Sequence, residues 1–326
     1  MLVVLLVVVS VIYDSSNGDS SAAESVRRVG LMHVGTDHIP PSRDGLYAGL
    51  RELGWTKGER LELIWRNLEP DAAEEQARQF VRQRVDVIVA FEDTSIAAAQ
   101  AATTRGRDRI PIVFLHPSDP VRDGLVASLS RPGGNLTGVF GPRDVVAKQL
   151  ELYKALVPQL RRVLTLIDPD DPSTKRLLPE YRAAAAQLAP PLELDIREAS
   201  NAQDLARVFR SLRPGEVDGA FLLSTKLRLN FSSVTIRLAA RARLPVQAHR
   251  KEWVEKGALF SYGADLRPIG RAGARYVDSI LRGTRPADLP VEVVPTVEFA
   301  INLKTASRLG IRVPQAMIIR ADEVYR

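Results

Sequence analysis

Short apolar runs alternate with amphipathic stretches from residue 28 onward. "RVGLMHVG" (28–35) reads as a strand. "RDGLYAGLRELG" (43–54) sets Leu46, Leu50 and Leu53 on one helical face and stops on glycine. "LELIWRN" (61–67) alternates as a strand does. "DAAEEQARQFVRQR" (71–84) has acids in its first turn and arginine in its last, the order a helix macrodipole favours. "VDVIVAF" (85–91) and "IPIVFLH" (110–116) are buried strands around an Ala-rich helix at 94–105, and "GLVASL" (124–129) reads as a fifth strand. Strands alternating with helices predict βαβ units and a parallel sheet covered on both faces.

"SRPGGNLTG" (130–138) interrupts this rhythm, which then restarts. Helices at 144–158, 173–189, 202–213 and 230–243 alternate with strands at 162–169, 192–199, 217–224 and 244–250. A helical turn at 251–257 and a strand at 258–263 follow. A helix at 269–283, an extended segment at 289–302 and a short helix at 303–310 complete the pattern. Two α/β lobes in succession result, alike in pattern and without an evident sequence repeat. At 326 residues, two domains is also the expectation from length.

Net charge is +6, but lysine and arginine are scattered rather than clustered, so the charge reads as solvated surface and no nucleic-acid partner is expected. The first residues, "MLVVLLVVVSVIYDSSNGDSSAAES", carry an apolar run too short to span a bilayer, then a Gly/Ser-rich tract and small residues ahead of a cut after Ala23. Residues 1–23 are therefore expected to be a signal peptide for export, with a buried first strand as the alternative. The chain has no cysteine, which removes disulfides, cysteine-based zinc sites and a thiol nucleophile.

Several segments carry a resemblance: "IPIVFLHPSDPVRDGLVASLSRPGGNLTGV" (110–139), "WVEKGALFSYGADL" (253–266), "ILRGTRPADLPVE" (280–292), "INLKTASRLGI" (301–311) and the tail "RADEVYR". In this order they resemble the ABC-transporter substrate-binding protein family that includes tryptophan- and tyrosine-binding members. The resemblance implies an α/β fold of two Rossmann-like lobes with parallel sheets, joined by a three-crossover hinge (the type I periplasmic-binding fold), with ligand between the lobes. It places the first lobe at 27–138 plus about 267–283, the second at 140–262 plus about 300–326, and the crossovers near 130–143, 261–265 and 285–300.

Ligands of open α/β sheets sit beyond the carboxyl ends of the strands. In the first half those loops offer Thr36 and Asp37, with His38 beside them, then Thr94 and Ser95, and then His116, Ser118 and Asp119. Thr94 and Ser95 open a helix, where free N–H groups and hydroxyls suit a ligand carboxylate; an ordinary N-cap is the alternative. Glu92 and Asp93 stand beside them and add negative charge to that place. Asp119 is a candidate for a ligand ammonium or a turn former before proline. The second half offers Asp168, Ser224, Thr225 and His249, followed by Arg250. Tyr262 matches a family position near the cleft and is read either as a roof over an apolar ligand or as core packing.

No nucleotide-binding, metalloprotease or nucleophile-elbow motif occurs, and the four histidines are dispersed, so no catalytic residue, metal or cofactor is expected. The sequence thus points to an exported, monomeric, periplasmic solute-binding protein of an ABC importer. Its ligand is an amino acid or aromatic carboxylate, and its partners are a membrane permease and a separate ATPase. A ligand-sensing domain without transport is the alternative.

Overall fold

The computed structural model describes residues 26–35, 40–103, 109–117, 119–142 and 145–326. The signal-peptide expectation for residues 1–23 lies outside them, as do Thr36, Asp37 and Ser118.

The chain begins with β1 (Arg27–Val34), α1 (Pro41–Glu52), β2 (Leu61–Leu68), α2 (Ala73–Arg82), β3 (Val87–Phe91), α3 (Glu92–Thr103), β4 (Ile112–Leu115) and β5 (Leu136–Phe140). It then enters a second unit of α4 (Val146–Leu156), β6 (Arg162–Ile167), α5 (Pro172–Gln187), β7 (Glu193–Glu198), α6 (Ala202–Ser211) and β8 (Gly219–Leu222). That unit continues through α7 (Thr225–Asn230), α8 (Ser232–Arg241), β9 (Val246–Ala248), α9 (Lys251–Glu255) and β10 (Phe260–Ala264). α10 (Leu266–Leu281) and β11 (Glu292–Val293) come next, and β12 (Val297–Asn302), α11 (Leu303–Arg308), α12 (Gln315–Arg320) and β13 (Glu323–Tyr325) close the chain.

Two sheets result, in the orders β11-β5-β4-β3-β1-β2 and β13-β12-β10-β9-β8-β6-β7. The pairs are parallel except β10 with β12, which run antiparallel because the chain re-enters the second sheet from its neighbour. The chain passes between sheets three times: after Phe140, after Ala264 and after Val293.

Each sheet is buried on both faces. In the first lobe, Met32, Ile88 and Phe114 pack toward α2 and α3, while Leu31, Val89 and Val113 pack toward α1 and α10. The second lobe repeats the arrangement, with Val163 and Phe221 on one side and Leu164 and Trp253 on the other. α1 and α10 approach closely through small residues. A Cβ added to Gly45 would lie 2.1 Å from the Arg267 carbonyl oxygen, and one on Gly270 only 1.9 Å from that of Ser42.

Two local expectations are corrected. Residues 124–129 form turns rather than a strand: Gly124 has φ +70° and the Leu125 and Val126 N–H groups donate back to the Pro120 carbonyl. The partner of β4 is instead β5, so part of the stretch expected to cross between lobes is a strand of the first sheet. The extended segment at 289–302 is likewise divided, β11 joining one sheet and β12 the other.

Candidate functional site

Residues just after β1, β3 and β4 meet residues just after β6 and β8 at the junction between the lobes. Two contacts define that junction. Arg176 on α5 pairs with Asp93 at 3.5 Å and with Asp123 at 3.2 Å, both in the other lobe. Leu229 on α7 lies where a side chain at Gly35 would meet it, 3.1 Å from such a Cβ.

On the first lobe, β3 ends at Glu92, which is buried and has φ +65°. Its side chain turns back over the start of α3. Oε1 accepts the Val34 N–H at 3.1 Å, the Ser95 N–H at 3.2 Å and the Ser95 hydroxyl, and Oε2 accepts the Thr94 N–H at 3.1 Å. This corrects the expectation of free N–H groups there: the Glu92 carboxyl group occupies the Thr94 and Ser95 N–H groups of the helix start. Ser95 is fully buried in that cap, while Thr94 is exposed. Desolvation outweighs these donors and pushes the Glu92 carboxyl up to about 8.

His116 ends β4, also in the left-handed region at φ +45°. Two non-glycine residues held there at adjacent strand ends store strain of about 1–3 kcal/mol each, a cost characteristic of working sites. His116 Nε2 meets the Ser42 hydroxyl at 3.1 Å. Burial first, then the nearness of His33 and Arg250, pushes His116 down to about 3, so its imidazole is neutral. Asp119 serves its own loop, its Oδ1 accepting the N–H groups of Val121 and Arg122 at 3.2 and 3.0 Å.

On the second lobe, Asp168 and Ser224 are fully buried and bonded within their lobe. Asp168 Oδ1 accepts the Ser200 hydroxyl at 3.0 Å and Oδ2 pairs with Lys226 at 2.9 Å. Ser224 Oγ accepts the Asp168 N–H at 2.7 Å and meets Thr174 Oγ1 at 2.5 Å. These groups lace the ends of β6 and β8 together. Thr225 sits at the start of α7, with its Oγ1 accepting from Arg228 at 3.1 Å. His249 lies tilted against Trp253 with 6.3 Å between ring centroids. Tyr262 is partly buried and packs edge-on against Phe299 at the margin of the second core.

A family model for ABC transporter substrate binding proteins matches residues 31–325. The chain belongs to that family. It is similar to a tyrosine-binding protein of Clostridioides difficile (strain R20291), with 25% identity over 316 residues, 95% of this chain and 89% of the relative. A conserved domain protein of Vibrio cholerae O1 biovar El Tor superposes with TM-score 0.82 at 29% identity, over 92% of this chain and 99% of the other. An ABC domain from Streptococcus pneumonia in complex with L-Trp superposes with TM-score 0.80 at 24% identity, over 92% and 100%. The fold is the type I periplasmic-binding fold.

In this substrate-binding protein, Arg176, which no motif distinguished, joins the two lobes through Asp93 and Asp123, and Arg228 lies on α7 beside Leu229. Among the described residues no group of three His, Asp or Glu is placed to hold a metal ion, and no helix is long and apolar enough to cross a membrane.

Proposed function

We propose that this chain is exported to the periplasm and serves as the solute receptor of an ABC importer, without catalysis of its own. It takes an aromatic amino acid or related carboxylate between its lobes and presents the closed form to a membrane permease powered by a separate ATPase. The observation that carries this reading is the cleft bridged by Arg176 to Asp93 and Asp123, in a family whose relatives include a tyrosine-binding protein and an L-Trp complex. Ligand touching both lobes shifts the population toward the closed form, which is the signal a permease reads.

Native mass spectrometry of the purified protein, followed by a thermal-shift panel with L-tryptophan, L-tyrosine, other amino acids, sugars and purines, tests the ligand class. Stabilisation by aromatic amino acids is the expected result. Stabilisation by sugars or purines alone, or measurable turnover of a bound compound, contradicts it. Ligand binding without ATP-dependent uptake through a cognate permease favours a sensing role instead.

A further inference from the structure

The first lobe has already spent its anion-binding helix start on Glu92. The opposite wall holds a cation in the reverse situation. Arg228, on α7, is partly buried next to Leu229, the residue that meets the first lobe at Gly35. Its Nη2 donates to Thr225 Oγ1, and it forms no ion pair among the described residues. The nearby carboxylates are committed elsewhere: Asp171 accepts the N–H groups of Ser173 and Lys226, and Asp93 pairs with Arg176. Desolvation holds the Arg228 guanidinium below the ordinary arginine range. Beside it lies a cavity of about 10 Å³ lined by Arg228, Thr235, Gln247, His249 and Trp253. The Thr235 hydroxyl is fully buried there and has no hydrogen-bond partner.

A desolvated guanidinium with Asp171 and Asp93 near but no carboxylate in direct contact is costly, and its planar fork matches a carboxylate. We propose that Arg228 receives the carboxylate of the ligand from the second lobe, with the Thr235 cavity accommodating the water displaced or retained beside it. The inference deepens the receptor reading and rests on it for the place where ligand binds. The ligand class it names is a small organic carboxylate whose acid end faces the second lobe and whose remainder faces Glu92 and His116.

The test is titration calorimetry and thermal shift on wild type, Arg228→Gln and Arg228→Lys with L-tyrosine, L-tryptophan, phenylpropionate and tyramine, plus a panel of small non-aromatic carboxylates. Carboxylate ligands should bind the wild type and lose about 10–100-fold in affinity with Arg228→Gln, the lysine variant falling between. Tyramine should not compete. The ligand-free Arg228→Gln protein should melt at or above the wild-type temperature, because a desolvated charge without a directly bound carboxylate is removed, which separates a binding role from a structural one. Equal affinity for tyramine and tyrosine, unchanged carboxylate affinity in Arg228→Gln, or no carboxylate binding at all overturns the proposal. If only a non-aromatic carboxylate binds and Arg228→Gln abolishes it, the aromatic reading fails while this one stands.

Discussion

Arg176 reaches from α5 of one lobe to Asp93 at the start of α3 in the other, Nη2 to Oδ2 at 3.5 Å, and its Nη1 meets Asp123 at 3.2 Å. These charges are partly shielded, with 15% of the arginine side chain and 32% of each aspartate exposed. They touch only when the lobes are together, so they bias the open–closed equilibrium independently of ligand. Arg176→Ala should weaken ligand binding by about 2–5-fold, consistent with the ~1 kcal/mol such pairs contribute. High salt should reduce wild-type affinity and leave the variant nearly unchanged. Calorimetry at low and high ionic strength checks both; identical salt responses would remove the pair from the closing mechanism.

Glu92 makes stability depend on pH with an unusual sign. Its carboxyl is pushed up to about 8 in the folded chain, above the value of 4.5 for the free side chain. The folded state therefore holds this proton more tightly than the unfolded state. Stability from this group is present below pH 4.5 and lost as pH rises toward 8, by at most about 1.4 kcal/mol per pH unit. Urea unfolding of wild type and Glu92→Gln from pH 5 to 8 should show a downward slope in the wild type that the glutamine variant lacks. Parallel curves would mean that the Thr94 and Ser95 N–H groups hold Glu92 ionised throughout.

Gly141 and Gly134 lie close in sequence and should respond very differently. Gly141 stands where the chain first leaves the first lobe, and a Cβ there would lie 2.7 Å from the Ala264 Cβ, where the chain crosses again. Gly134 has open space around it. Gly141→Ala should wedge the two crossovers apart and change ligand affinity and the ligand-free radius of gyration in X-ray scattering, whereas Gly134→Ala should alter neither. Gly138 is different again: its Cβ would meet the Phe114 carbonyl oxygen at 2.1 Å, so substitution there should part β4 from β5 and cost stability instead.

Asp168 should behave as scaffold. Removing it leaves Lys226 unpaired and the Ser200 hydroxyl without its acceptor. Asp168→Ala should lower unfolding free energy by about 2–3 kcal/mol in ligand-free protein, as loss of a buried charged partner does. Chemical denaturation measures this; a variant as stable as wild type but impaired in binding would return Asp168 to the ligand.

Periodicity exposed most of the fold because burial on both sheet faces and amphipathic helices leave a local imprint, as in "VDVIVAF" and "DAAEEQARQF". It misplaced β5 because "LTGVF" is short and follows a Pro-Gly-Gly turn, while the equally apolar 124–129 packs Val126 on the core without pairing as a strand. The site was less legible. Loop position can nominate Thr94, His116, Thr225 and His249, but which polar groups are already satisfied is decided by tertiary partners. Ser224 is claimed by Asp168, 56 residues away, and Arg176 by Asp93, 83 residues away. Among 45 lysines and arginines, nothing local separates Arg176 or Arg228 from the rest.

The tight α1–α10 contact also sets a timetable for synthesis. α10 supplies Ile269, Ala274 and Val277 to the core beneath β1 and β3, and Gly45 and Gly270 admit no looser docking. The helix that seals the first lobe is thus translated only after most of the second lobe has emerged. The amino-terminal half must stay unsealed, with Leu31 and Val89 covered on that face by α1 alone, until that late helix arrives. A nascent chain held open in this way remains a substrate for chaperones long after its first strands have been made, and export as proposed above would meet it in that unsealed state.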